Sequence, residues 1–446
     1  MAPASHPQTT RVHRGEKGKT RLHFSSLQKK RRKGGKTARR GVFHLRIRPP
    51  NQNQIPPQNP QSPAMATSPP PPRRSRRTLE LPDDVMEEIF LRLPADNPAS
   101  LVRIAGGCKS WLAMVSDPNF APAYRRLRDA PPMLGFLYNY RYTDEGAPYW
   151  TSHFRAAAAL PQRVRRDRKH WRALDSRHGL VLFDAPESNG RLVVSDLVTG
   201  EHWRINAHIA SPDACNVAVL CAKDGCNHRD CHGGPFLVAC VVSVVAGNRR
   251  IASAMFYSSV TRRWIGPAFL EHPNVIDGRG HSAVLGNKVY VPCVKDGSVV
   301  EYNTSENKLS VIKAPFEVQD QKIELMGVED GMLLFASVVK PRLYLWSMEA
   351  GPRGAAGRAR SRFIELGPLL PSTVLVDNTE VSAVGFAEGV GIIFIKTRVG
   401  LYTIQLKSKQ SDQAIRLVHR GYINKVIPYM SFYTGAWGPL PASDEA

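Results

Sequence analysis

The stretch GLVLFDAPESNGRLVVSDLVTGEHW, residues 179–203, decides the fold. It opens on a run of branched and aromatic residues, breaks at a Pro/Ser/Asn/Gly turn, and resumes as RLVVSDL (191–197). A polar turn, Ser195 to Gly200, then leads to a weaker run at Trp203. Apolar runs this short, bounded by turn residues, read as antiparallel strands and not as helices.

The same texture continues through FLVACVVSVVAG (236–247), ASAMFYSS (252–259), SAVLGNKVYVPCV (282–294), GMLLFASV (331–338), RLYLWSM (342–348), GVGIIFIKT (389–397) and GLYTIQL (400–406). A strand, a polar turn and a weaker strand recur as a unit: Ser195 to Trp203, Tyr257 to Trp264, Tyr302 to Leu309, Trp346 to Phe363, and Tyr402 to Ile415. The units start about 44 to 62 residues apart, close to the kelch-type blade period of about 50. The expected architecture over 131–440 is therefore a β-propeller, a fold of radially repeated antiparallel sheets, with the number of blades left open.

Upstream, from Leu79 to about Leu127, the spacing turns helical. Pro82, Asp83 and Asp84 suit a helix start, and Val85, Ile89 and Leu93 recur every four residues beside Met86 and Phe90. A second helix is expected after Asn97 as N-cap and Pro98 in the first turn, with Leu101, Ile104 and Ala105 on its apolar side. Gly106 and Gly107 then mark a break, and a third helix over 108–115 presents Cys108, Trp111, Leu112 and Val115 before Asp117-Pro118 stops it. Three helices in fewer than about 50 residues bury little by themselves and call for a partner surface.

Residues 81–120, LPDDVMEEIFLRLPADNPASLVRIAGGCKSWLAMVSDPNF, resemble an F-box. Its elements stand in order: Leu-Pro, an acidic pair, Glu-Ile, Arg-Leu-Pro, Leu-x-Arg, Cys-Lys-x-Trp and Asp-Pro-x-Phe. Gly107 departs from the family pattern, in which a larger apolar residue commonly precedes the cysteine. The resemblance implies that Leu81, Pro82, Ile89, Leu93, Leu101, Val102, Cys108 and Trp111 bind a Skp-type adaptor, which links to a cullin and a RING subunit. The following chain, with GLVLFD and SDLVTGEHW, resembles the F-box-associated propeller region of many plant F-box proteins, which implies a client-binding face without saying which loops form it. The implied role is that of a non-catalytic receptor in an SCF-type ubiquitin ligase. The alternative is a propeller enzyme or a carbohydrate or small-molecule binder whose helical segment is incidental.

The net charge of +23 is concentrated at one end. Residues 1–77 hold 19 Lys and Arg against Glu16 alone, a net of +18, which leaves 42 basic and 37 acidic residues, +5, for the rest. With KKRRKGGKTARR (29–40) and a Pro/Gln/Asn tract from Pro49 to Pro72, this segment is expected to be a disordered tail. The basic run reads as a nuclear-import patch, a nucleic-acid arm or a solubilising tail, and without interleaved aromatics nucleic-acid binding is not the expectation. Nucleus or cytoplasm is the expected location. No run reaches the roughly 18 apolar residues of a membrane helix, and seven cysteines, an odd number, fit a reducing compartment.

Cys221, Cys226, His228 and Cys231 offer enough N and S donors for tetrahedral zinc. They do not form paired Cys-x-x-Cys knuckles, however, and their Gly and Asp neighbours read as a polar loop with reduced thiols, so neither metal nor cofactor is expected. Gly278-x-Gly280-x-x-Ala283 echoes a dinucleotide fingerprint but precedes a strand, and reads as a turn. Val284 stands where a nucleophile elbow over Gly280–Val284 needs glycine, so no catalytic residues are assigned.

Overall fold

The computed structural model describes residues 81–434, apart from 143–148, 158–159, 161–163, 165, 187–190, 208–213, 227, 229–230, 232–233, 273, 295–296, 314–322, 352–355, 377–378, 417–422 and 424. The basic N-terminal tail expected over 1–77 lies outside the described residues.

Among the described residues four short helices come first: α1 (Asp83–Leu91), α2 (Pro98–Ala105), α3 (Lys109–Val115) and α4 (Phe120–Arg126). The sequence reading anticipated three. The fourth arises because Pro118 bars continuation of the helix before it while Phe120 and Tyr124, one turn apart, give the following seven-residue helix its own apolar side, both being almost wholly buried. Asn97 precedes α2 but makes no side-chain capping bond. Cys108 instead caps α3, its Sγ accepting from the Trp111 amide at 3.5 Å.

The remainder is a six-bladed propeller of four-stranded antiparallel sheets. The chain enters through β1 (Met133–Tyr142), β2 (Tyr149–Ala156) and β3 (Arg168–Lys169). Blade 2 is β4 (Arg172–Arg177), β5 (Leu180–Asp184), β6 (Leu192–Asp196) and β7 (His202–Ile205). Blade 3 is β8 (Cys215–Cys221), β9 (Phe236–Ala246), β10 (Arg249–Ser258) and β11 (Arg263–Glu271). Blade 4 is β12 (Ala283–Leu285), β13 (Lys288–Pro292), β14 (Val299–Asn303) and β15 (Lys308–Ile312). Blade 5 is β16 (Glu324–Glu329), β17 (Met332–Val339), β18 (Arg342–Ala350) and β19 (Ala356–Glu365). Blade 6 is β20 (Ser382–Ala387), β21 (Ile392–Lys396), β22 (Gly400–Gln405) and β23 (Gln410–Arg416).

Finally β24 (Val426–Met430) returns to pair antiparallel with β1, Tyr138 facing Val426 and Leu137 facing Ile427, and so completes blade 1. The ring is thereby closed by strands from both ends of the propeller sequence, and each blade keeps its outermost strand as an edge. The inner strands β4, β8, β12, β16, β20 and β24 touch one another in a circle around the axis.

The repeat seen in the sequence is the outer hairpin of blades 2 to 6. Tyr257 faces Trp264, Tyr302 faces Leu309 and Val194 faces Trp203 across the pairing. The polar turn has a shared mechanism: Asp196 Oδ1 accepts from the Val198 and Thr199 amides at 2.8 and 3.1 Å, and Asn303 Oδ1 from the Ser305 and Glu306 amides at 3.0 and 3.3 Å.

The core is a ring of layers between adjoining blades. Leu180, Leu182 and Val194 of blade 2 pack on Val217, Val219 and Val238 of blade 3, for example, and Phe136 of blade 1 on Phe394 and Leu401 of blade 6. A separate cluster holds the helices together: Phe90, Leu101, Ala105, Val115, Phe120 and Tyr124 pack on Phe432, just past the closing strand. The described helices and blades fall within one compact unit.

Candidate functional site

Two features stand out: the outer face of the helices and the polar axis of the propeller. The helices are mounted through α2 and α4. Val102 joins the layer between blades 1 and 2, while Tyr124 meets the Phe432 ring edge-on at 6.4 Å. The Tyr124 hydroxyl donates to the Leu93 carbonyl at 3.0 Å, the Arg128 guanidinium lies 3.5 Å over the Tyr124 ring, and Arg125 Nη2 donates to Thr434 Oγ1 at 3.1 Å. Burial raises the Tyr124 hydroxyl to about 12. Arg128 also donates to the carbonyls of Leu91, Leu93 and Tyr124, so one side chain satisfies several carbonyls at the ends of two helices.

With Phe90 turned inward, the four-residue stripe on α1 turns outward. Leu81, Val85 and Ile89 are 51%, 40% and 44% exposed, and Leu112 on α3 is 39% exposed. Pro82 and Cys108 are exposed as well, and Leu93 and Trp111 are half-buried. Leu101 and Val102, expected on the adaptor-binding surface, are instead at 1% and 8% exposure in this chain's own core. Helical spacing marks a residue as apolar, and the propeller beneath α2 decides which way that residue faces. Trp111 packs edge-on against Phe90 at 5.6 Å. It also explains Gly107, because a Cβ there would stand 2.7 Å from Trp111 Cε3 and 3.2 Å from the Ile104 carbonyl oxygen. The exposed Cys108 thiol is held below its ordinary range by the Ser110 hydroxyl and the Trp111 amide.

Along the axis runs a cavity of about 400 Å³. Arg177 of β4 spans it, donating to Glu388 Oε1 at 3.2 Å and to the Ser282 carbonyl at 2.7 Å, with Asp175 Oδ2 3.4 Å from its Nε. Glu388 also accepts from the Val328 amide at 3.0 Å and Asp175 from the Val219 amide at 2.9 Å, so one network links blades 2 to 6. Burial opposes the Arg177 charge, but Asp175 and Glu388 outweigh it and raise its pKa. Lys425 donates to the Gly280 carbonyl at 3.0 Å, and burial with the nearby arginines brings it down to about 8. His281 Nε2 lies 2.9 Å from the Val384 carbonyl and is lowered to about 3, chiefly by burial and then by Lys425. The glycine-rich segment before β12 is a turn leading into a strand, as its sequence indicates.

Beside the cavity, which His228 lines, the four residues read as an ordinary loop come together. The ligand atoms of Cys221, Cys226, His228 and Cys231 all lie within 4.8 Å of one another. Sequence spacing did not reveal this, because it arises from loop reversal at Gly225 and His228, whose φ angles are 63° and 60°. Burial raises the Cys231 thiol, and the Cys221 and Cys226 thiols add to the effect. Across the blade boundary, His178 Nδ1 lies 3.4 Å from Cys231 Sγ.

Among the described residues no helix is long and apolar enough to cross a membrane. No family model matches the chain, and no curated protein matches it. Among solved structures it is similar to the extracellular domain of BT4673 from B. thetaiotaomicron, at 12% identity and a TM-score of 0.28 over 55% of this chain and 28% of that one. It is similar to TolB from Acinetobacter baumannii, at 12% identity and 0.35 over 72% and 73%. It is also similar to the Dos1 propeller, at 9% identity and 0.30 over 61% and 68%. The chain thus spans little more than a quarter of the first of these. What it belongs to at the level of architecture is stated by its own sheet order: a six-bladed β-propeller preceded by four short helices.

Proposed function

We propose that this chain is the substrate-recognition subunit of an SCF-type cullin-RING ubiquitin ligase, its helices docking on a Skp-type adaptor and its propeller holding a client protein. One observation carries the reading. The segment with the F-box-like sequence is fixed to the propeller by one side and turns Leu81, Val85, Ile89 and Leu112 toward solvent. Burying the exposed parts of four such side chains contributes roughly 1 kcal/mol each. A surface of that kind fits a cognate apolar groove better than it fits water.

In this role the protein contributes proximity. A client held on the propeller is kept at high effective concentration beside the charged ubiquitin carrier, and bond-making belongs to other subunits. The adaptor-facing set is Leu81, Pro82, Val85, Ile89 and Leu112, with Cys108 and Trp111 at its edge. Leu101 and Val102 support the helices from beneath. The basic run at 29–40 is consistent with activity in the nucleus or the cytoplasm.

The axial cavity, with Arg177, Glu388, His281 and Lys425, favours a second reading as a small-molecule or carbohydrate binder or enzyme. Co-expression separates the two. A receptor gains soluble yield with a Skp-type adaptor and co-elutes with it, whereas a self-sufficient propeller is indifferent to the adaptor.

A further inference from the structure

We propose that Cys221, Cys226, His228 and Cys231 form a structural zinc site that fastens the long β8–β9 connection to the wall of the axial cavity. Cys221 at the end of β8 and three donors from the loop after it converge, their ligand atoms all within 4.8 Å of one another, and Cys231 Sγ is 3.8 Å from His228 Nδ1. In a tetrahedral site with Zn–S near 2.3 Å, neighbouring sulfurs stand about 3.8 Å apart, so the cluster needs only a contraction of about 1 Å at its widest pair. Three thiolates and one imidazole suit zinc over harder cations, and four protein donors close the coordination sphere, which marks a structural site and not a catalytic one.

Backbone amides meet two of the three sulfurs. The Lys223 amide donates to Cys221 Sγ at 3.4 Å, and the His228 amide donates to Cys226 Sγ at the same distance. Each lies two residues beyond the sulfur it serves. His178, from the β4–β5 turn, packs tilted against the His228 ring, centroids 4.6 Å apart, and places Nδ1 at 3.4 Å from Cys231 Sγ, an outer-sphere contact that orients both a ligand sulfur and the ligand imidazole. The loop carrying the donors is closed at its base by the Ala222 amide and the Pro235 carbonyl at 2.9 Å. Because His178 and His228 both line the axial cavity, the metal would set the shape of one side of that cavity.

On binding, the three thiols give up their protons to solvent and the cation takes their place. The test uses the full chain, purified under reducing conditions and measured for metal by plasma mass spectrometry, with cobalt substitution as a second readout. The expected result is one zinc per chain, replaceable by cobalt to give the intense visible absorption of tetrahedral thiolate coordination, and lost in Cys226→Ser but retained in Cys108→Ser. Reduced, folded protein that neither carries zinc nor takes up added zinc or cobalt overturns the proposal. So does Cys226→Ser with undiminished metal, or a native disulfide between Cys221 and Cys226.

Discussion

The Trp111 ring lies directly over Gly107, where a Cβ would come within 2.7 Å of Cε3. The contact couples the α2–α3 turn to the helical core, because the same indole packs on Phe90. Gly107→Ala must push the ring off Phe90 or shift the α2 terminus, at a cost of about 1–3 kcal/mol. Thermal unfolding of the variant should show a lower midpoint, and an unchanged midpoint would mean that the indole moves freely.

Phe432 is the anchor between the helices and the closing strand. Phe432→Ala removes the ring that Tyr124 meets edge-on and leaves a cavity in the helical cluster, costing about 3–5 kcal/mol. Limited proteolysis should then cut near the junction at 127–132 sooner than in the parent chain, with the propeller fragment surviving. Equal cleavage rates would show that other contacts hold the helices.

Arg177 is the hub of the axial network. Arg177→Met leaves Asp175 and Glu388 facing each other's charge without their shared cation, a loss of about 3–5 kcal/mol. A double-mutant cycle with Glu388→Gln, followed by chemical denaturation, should give a coupling energy of at least about 1 kcal/mol. Strict additivity would contradict the network.

His281 makes the propeller acid-sensitive. Its folded-state pKa, lowered by burial and by Lys425 and Arg177 from 6.5 to about 3, means that the unfolded chain takes up a proton where the folded one does not. The stabilisation is complete above about pH 6.5 and is lost as pH falls toward 3, at up to about 1.4 kcal/mol per pH unit. Unfolding midpoints measured from pH 7 to 5 should fall less steeply in His281→Gln than in the parent. Parallel slopes would contradict this assignment.

Much of the propeller was legible because its middle strands, such as Leu180–Asp184 and Leu192–Asp196, are buried on both faces and read as unbroken apolar runs. The inner strands β4, β8, β16 and β20 escaped notice. They carry Asp175, Arg177, Asn216, Gly327 and Gly385, whose job is to satisfy polar groups at the axis or to allow close approach, and this breaks the alternation that marks a strand. Gly385 illustrates the second case, since a Cβ there would lie 2.6 Å from the Val426 carbonyl oxygen. The helical segment was legible in extent and less so in orientation. Periodicity shows that Leu101, Val102 and Ile89 are apolar, while only the propeller surface decides that the first two are covered by this chain and the third is not. The four thiol and imidazole donors were legible as candidates, but their convergence was not, since it comes through two left-handed turns and not through a fixed spacing.

Titration of the full chain against a Skp-type adaptor tests the central claim most directly, with Ile89→Asp as the comparison. The account predicts binding at micromolar concentration or tighter, weakened at least about tenfold by Ile89→Asp, a loss of about 1.4 kcal/mol, with no change in the unfolding midpoint. A folded parent chain that shows no binding at those concentrations, or an Ile89→Asp variant that binds equally well, would contradict it.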